Sequence, residues 1–151
     1  MDQSVRNLLN KKMKLGGQEL NVSDVLLLAA ITVLAVWVRT AVRSFVAQDW
    51  TDYWSLWLEE LRAGGFKALA GNFYDYAPPV MYLLYLITLL PINSMTAFKA
   101  FCCMLDFVGA GLIGNMVTDC TGSKKRGMLA YGVFLFLPTV ILNAAVWSQC
   151  D

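Results

Sequence analysis

The sequence predicts an all-α integral membrane protein with about three transmembrane helices and interfacial helices in the first outer loop. Three observations carry that prediction. Hydrophobic residues are 58% of the 151 and charged residues only 15%, against about 45–50% and about 25% in ordinary soluble domains. The excess lies in runs long enough to cross a bilayer. Lys and Arg cluster beside those runs, so a side of the membrane can be assigned to each loop. A net charge of +1 gives no argument for nucleic acid as a partner; the lipid bilayer is the partner the composition implies.

Composition also removes chemistry. The chain has no His, which excludes imidazole bases, Ser-His triads and most zinc sites. Cys102, Cys103, Cys120 and Cys150 show no CxxC spacing, and the first two lie inside an apolar run. They read as packing residues rather than redox or metal ligands. The residues ahead of the first apolar run are polar, and no small-residue cleavage site follows it. The first span is therefore expected to stay as an anchor.

Residues 1–23 form a basic tail in which Arg6, Lys11, Lys12 and Lys14 oppose Asp2 and Glu19, and "LGGQEL" interrupts any long helix. Ser23 or Asp24 offers an N-cap for the first transmembrane helix, 24–46. Arg39 and Arg43 are four apart and share one face near its far end. They either snorkel to headgroups or turn toward a phosphate.

Residues 47–94 form the outer-face loop. In "DYWSLWLEEL" Tyr53, Leu56, Trp57 and Leu61 share one face of an amphipathic helix, which Gly64-Gly65 ends. A second short helical piece covers 66–70. Trp and Tyr favour the membrane interface, so these helices are expected to lie on the bilayer. Pro79 to Pro91 is apolar but short for a span, which suits an interfacial segment. The next transmembrane helix, 95–118, contains Lys99 and Asp106, seven apart and nearly on one face. Ionisable groups within a span are paired or functional, and a structural ion pair between these two is the plain reading. A basic loop, 119–126, "DCTGSKKR", precedes the last transmembrane helix, 127–147, in which Pro138 predicts a bend. Residues 148–151 close the chain.

With the basic tail in the cytoplasm and 79–91 held at the outer interface, Lys124, Lys125 and Arg126 also fall inside. The protein is then multi-pass with a cytoplasmic N-terminus, in a bacterial plasma membrane. "DWTDY" and "WSQCD" emerge on the same outer face, where they would meet.

Carboxylates are the only plausible bases: Asp49, Asp52, Glu59, Glu60 and Asp75, joined by Asp151 through topology. Glu59 and Glu60 sit beside Arg62 and read as a solvated face. Asp49 and Asp52 have i, i+3 spacing and share one side of a helical turn. They either cap the amphipathic helix or act on a substrate. A divalent metal would suit two carboxylates, but no further ligands are visible, so neither a metal nor a resident cofactor is assigned.

The ordered set "DWTDYWSLWLEEL", "YDYAPP", a span with a buried Lys and Asp, a basic loop and "LFLPTVILNAAVWSQCD" resembles the N-terminal part of the GT-C superfamily of membrane glycosyltransferases, over residues 24–151. The nearest likeness is to bacterial mannosyltransferase-like members and dolichyl-phosphate-glucose glucosyltransferases. The resemblance implies a hexosyltransferase that moves a sugar from a polyprenyl-phosphate carrier to a hydroxyl acceptor on the outer face. It implies a catalytic base at Asp52, in "TDY", with Asp49 as second choice. Substrate-binding residues would be Arg39 and Arg43 at the phosphate, Asp75 and Tyr76 before the Pro78-Pro79 pair, and Gln149 and Asp151 after Trp147. The partners implied are the lipid-linked sugar donor and a remaining C-terminal part, the 151-residue piece being inactive alone. A rival reading is a small non-catalytic membrane protein, an accessory subunit whose aromatic loop binds a partner. A transporter fragment would rest on Lys99 and Asp106 only.

Overall fold

The computed structural model describes residues 3–15 and 18–148. Gln149 and Asp151 lie outside the described residues. The chain is predominantly helical. Among the described residues two helices are long and apolar enough to cross a membrane, and a bent helix pair makes a third candidate.

The basic tail contains α1 (Gln3–Leu9) and a two-stranded antiparallel hairpin, β1 (Lys12–Leu15) with β2 (Gln18–Asn21), in the register Lys12↔Asn21 and Met13↔Leu20. Lys12-Met13-Lys14-Leu15 does alternate with the period of a strand, a signal the sequence reading passed over. α2 (Val22–Val42) follows directly. Its N-cap is Asn21 rather than Ser23 or Asp24, and Asp24 accepts from the Asn21 amide at 3.3 Å from within the first turn. Its 21 residues give about 31 Å of helix, the thickness of a hydrocarbon core. The helix starts two residues before the expected span and stops at Val42, because 45–47 are non-helical.

α2, α5 (Ser94–Thr121) and α6 (Lys124–Leu135) run side by side, and α5 and α6 form a tight antiparallel hairpin. Gly122 turns the chain between them at φ +63°, a left-handed value that glycine adopts without strain. The hairpin closes through Gly127: a Cβ there would lie 1.9 Å from Thr118 Oγ1 and 2.5 Å from the Gly114 carbonyl oxygen. Only a residue without a side chain lets the two backbones approach that closely.

The third candidate span breaks as expected. α6 ends at Leu135, and α7 (Pro138–Ile141) runs into a π-helical turn, Leu142–Trp147, at 52° to it. Leu137, the residue before the proline, is extended at φ −60° and ψ 125°, the conformation a following proline imposes.

The expected outer loop folds as a compact platform. A π-helical turn (Trp50–Trp54) leads into α3 (Ser55–Gly64), a 3₁₀ segment (Gly65–Ala70) and α4 (Pro78–Thr88). Pro78 and Pro79 occupy the first turn of α4, where a missing N–H leaves no hydrogen bond unmade. Trp54, Trp57, Leu58 and Leu61 bury against Met81, Leu84 and Ile87 of α4 and Phe98 of α5. Ring contacts fill the rest: Trp54 lies 4.8 Å from Phe98 and 5.0 Å from Tyr76. The face of 52–61 expected to meet the membrane therefore splits. Trp57 and Leu61 are core, while Tyr53 and Leu56 are about half exposed at 50% and 56%.

Candidate functional site

The end of α2, the start of α5 and the end of the π turn at Trp147 come together beside the platform. Helix termini leave carbonyls without partners. At the end of α2 these are met by Lys99, which is 4% exposed and donates to the Arg43 carbonyl at 3.0 Å and to the Phe45 carbonyl. Lys99 thus fixes the strand of chain leading to Asp49.

Sequence reasoning pairs Lys99 with Asp106. The structure pairs Asp106 with Arg39 instead: Nη2 and Nε donate to one carboxylate oxygen at 3.0 and 3.3 Å. Arg39 Nη1 also donates to the Leu135 carbonyl at 3.1 Å. In a continuous helix that carbonyl would accept from residue 139, and the break at Pro138 exposes it. One guanidinium therefore ties α2, α5 and α6 together, and stacks on the Phe107 ring at 5.2 Å. Arg39 is 4% exposed. It does not snorkel outward; its guanidinium is held by Asp106 and Leu135, and the residue also lines the groove between α2 and α5. Arg43 is exposed, and its guanidinium has no partner among the described residues. Seven-residue spacing placed Lys99 and Asp106 on one face correctly; what spacing cannot show is which neighbouring helix supplies the nearer partner.

Two cavities lie beside this lysine: Lys99 lines one, and Phe45, whose carbonyl it holds, lines the other. An apolar groove of about 400 Å³ runs between α2 and α5, with Val36, Met104 and Phe107 on its walls and Thr40, Arg43 and Thr96 among its polar lining. A smaller cleft of about 380 Å³ is lined by Phe45, Ala47, Gln48, Asp49 and Trp147. The expected meeting of the 49–53 and 147–151 regions is seen there in Asp49 and Trp147. Asp52 is exposed in the adjoining π turn, accepts from Thr51 Oγ1 at 3.3 Å, and does not line the cleft. The π turn is the reason: its wider winding carries position 52 away from the face that position 49 occupies. Asp75 is exposed, and Tyr76 packs on Trp54 and Trp57 at 5.0 and 5.9 Å, within the platform core.

Three uncommon backbone features flank this cleft, and sequence reasoning missed all of them. Two are the π turns at Trp50–Trp54 and Leu142–Trp147. The third is Ser148, a non-glycine residue at φ +61°, fully buried, whose hydroxyl has no partner among the described residues. π turns and strained residues concentrate at functional sites. No sequence signal marks a π turn, because the same apolar and aromatic residues suit an α-helix. Among the described residues no group of three or more His, Cys, Asp or Glu is placed to hold a metal ion.

Comparisons with known protein families, curated proteins and solved structures find no match to this chain.

Proposed function

We propose that this chain is the donor-binding part of a membrane glycosyltransferase that uses a polyprenyl-phosphate sugar. The observation that carries the reading is the link through Lys99: it lines an apolar groove together with Arg39 and Arg43, and it holds the carbonyl of Phe45, which lines a cleft with the Asp49 carboxylate. The polyprenyl chain lies in the groove, the phosphate meets Arg43, and the sugar reaches into the cleft walled by Trp147. An acceptor hydroxyl oxygen attacks the anomeric carbon. The bond from that carbon to the phosphate oxygen breaks, and the phosphate leaves with the electron pair. Asp49 takes the hydroxyl proton, and Arg43 stabilises the charge on the leaving phosphate. Of the two aspartates, Asp49 is the better base on this arrangement because it lines the cleft and Asp52 does not.

Transfer is measured in native membranes carrying the intact gene product, and donor binding on the purified chain in nanodiscs with a radiolabelled polyprenyl-phosphate hexose. Asp49→Asn is expected to lower transfer by about 100-fold or more, the ordinary worth of a general base, with donor binding unchanged. Arg43→Ala is expected to weaken donor binding about ten-fold. Loss of transfer in Asp52→Asn with full transfer in Asp49→Asn would move the base to Asp52. Full transfer in both would remove the reading.

A non-catalytic accessory role is the second reading. It draws support from Leu56, Phe66 and Tyr82, which stand 56%, 62% and 49% exposed on the platform, with Tyr53 and Leu86 exposed there as well. A chain that binds no lipid-linked sugar, but loses a co-purifying subunit on Phe66→Ser, would favour it.

A further inference from the structure

A cavity of about 640 Å³ lies at the opposite end of the helices from Asp49 and Lys99, where α2 begins and α5 turns into α6. Its lining changes character with depth. Asp119, Thr118 and Lys124 stand at the mouth, Asn115 lies one turn in, and Leu28 and Gly111 lie deeper. Gly111 is eight residues before Asp119, about 12 Å along the helix. A headgroup layer is only about 6 Å thick on each side of a bilayer, so the cavity reaches from headgroup level well into the hydrocarbon. Thr32 and Tyr131, whose hydroxyls lie 2.9 Å apart, line it as well.

The mouth offers one cation and one anion. Lys124 is half-buried there, and Asp119 and Asn115 are exposed with side chains that make no bond among the described residues. More positive charge surrounds the opening: Lys125 and Arg126 are exposed beside it, and the strand bearing Lys12 joins the start of α2 through the bond from the Val22 amide to the Lys11 carbonyl, 3.0 Å. A group with a phosphate and a hydrogen-bonding ammonium complements this mouth. An apolar chain complements the wall behind it, where a Cβ on Gly111 would meet nothing within 4 Å.

We infer that this cavity is a binding site for one glycerophospholipid with a primary-amine headgroup: its phosphate on Lys124, its ammonium on Asp119 and Asn115, and one acyl chain passing over Gly111. The site is separate from the proposed sugar-donor site and stands or falls without it. Its occupant would fill the gap that α2 leaves against the α5–α6 hairpin at this end.

Native mass spectrometry of the purified chain, titrated in micelles with dioleoyl phosphatidylethanolamine, phosphatidylglycerol or phosphatidylcholine, tests it. The expected result is a single saturable phosphatidylethanolamine adduct, about ten-fold tighter than either other lipid, as expected for the added charge-assisted hydrogen bonds. Asp119→Asn should bring phosphatidylethanolamine down to the level of phosphatidylcholine. Lys124→Gln should weaken all three lipids, and by more than Lys125→Gln, since only Lys124 lines the cavity. Gly111→Leu should abolish the adduct while leaving thermal stability intact, since leucine is the better helix former and has room. Phosphatidylglycerol binding as tightly as phosphatidylethanolamine would overturn the amine-headgroup assignment. So would equal affinity for phosphatidylcholine. Retention of the adduct in Gly111→Leu would overturn the cavity itself. Displacement of the lipid by water-soluble glycerophosphoethanolamine would make this a site for a soluble phosphate instead.

Discussion

Trp54 and Trp37 are the same residue in two different solvents. Trp54, in the platform, is 2% exposed and packs on three other aromatic rings. Trp37, on α2, is 65% exposed, with Val33 and Leu34 at 68% and 50% on the same helix. The platform buries Trp54, Trp57, Leu58, Leu61, Met81, Leu84 and Ile87 in one cluster, as a soluble domain does. The long helices bury little: 11% of the apolar window of α2 and 17% of that of α5. The same tryptophan occurs in both regions, so burial within the chain, not the residue's own hydrophobicity, distinguishes a packing residue from one turned outward.

The substitutions that test this contrast most severely are those that leave a hole or an unmatched charge. Trp54→Ala should destabilise the fold by about 3–5 kcal/mol, the usual cost of emptying a large aromatic site, and should release Tyr76 and Phe98 from their ring contacts. Loss of near-ultraviolet dichroism and a lower unfolding midpoint in mild detergent would register it. Asp106→Ala should cost a similar ~3–5 kcal/mol, because the buried Arg39 then lacks its carboxylate. The double variant Arg39→Met with Asp106→Leu should recover most of that loss. If it does not, the bond from Arg39 to the Leu135 carbonyl matters more than the ion pair.

A smaller effect sharpens the comparison inside the helix bundle. Gly127→Ala should cost about 1–3 kcal/mol through overpacking against Thr118 and the Gly114 carbonyl, while Gly111→Ala on the neighbouring face should be neutral or slightly stabilising. Crosslinking yield between cysteines placed on α5 and α6 would report the separation of the two helices. Trp37→Ala should be the mildest, within about 0.5 kcal/mol, as for surface positions with no packing role. A penalty comparable to that at Trp54 would show that α2 packs on another surface through Trp37, and the contrast drawn above would fail.

Much of the architecture can be read from run lengths and punctuation. The apolar stretches mark α2 and α5, and Pro138 marks the break in the third candidate span. Pro78-Pro79 opens α4 where a proline pair should. The parts that escaped depend on who sits opposite. Trp50, Trp54 and Trp57 suit an interfacial belt and a packed core equally well until α4 and Phe98 are placed against them. Lys99 and Asp106 look like partners because a single helix displays both; Arg39 wins Asp106 from a different helix, and Lys99 takes the open carbonyls of α2. At the candidate site, Asp49 and Asp52 were identified together, yet their separation into one lining residue and one exposed residue follows from a π turn that residue types do not announce. Arg39 and Arg43 line the same groove, but Arg43 is exposed and Arg39 is committed to Asp106 and the Leu135 carbonyl.

The guanidinium of Arg39 has a consequence for how the molecule is assembled. Synthesis delivers α2 first, and at that moment neither Asp106 nor the Leu135 carbonyl has been made. The side chain lies one turn from the end of α2, near enough to stretch toward water while it waits. When α5 arrives it gains a carboxylate, and when the break at Pro138 forms it gains a carbonyl. The same cation that begins by tugging α2 toward the aqueous edge ends by latching it inward. Completion of the bundle is thus recorded in the direction in which one arginine points.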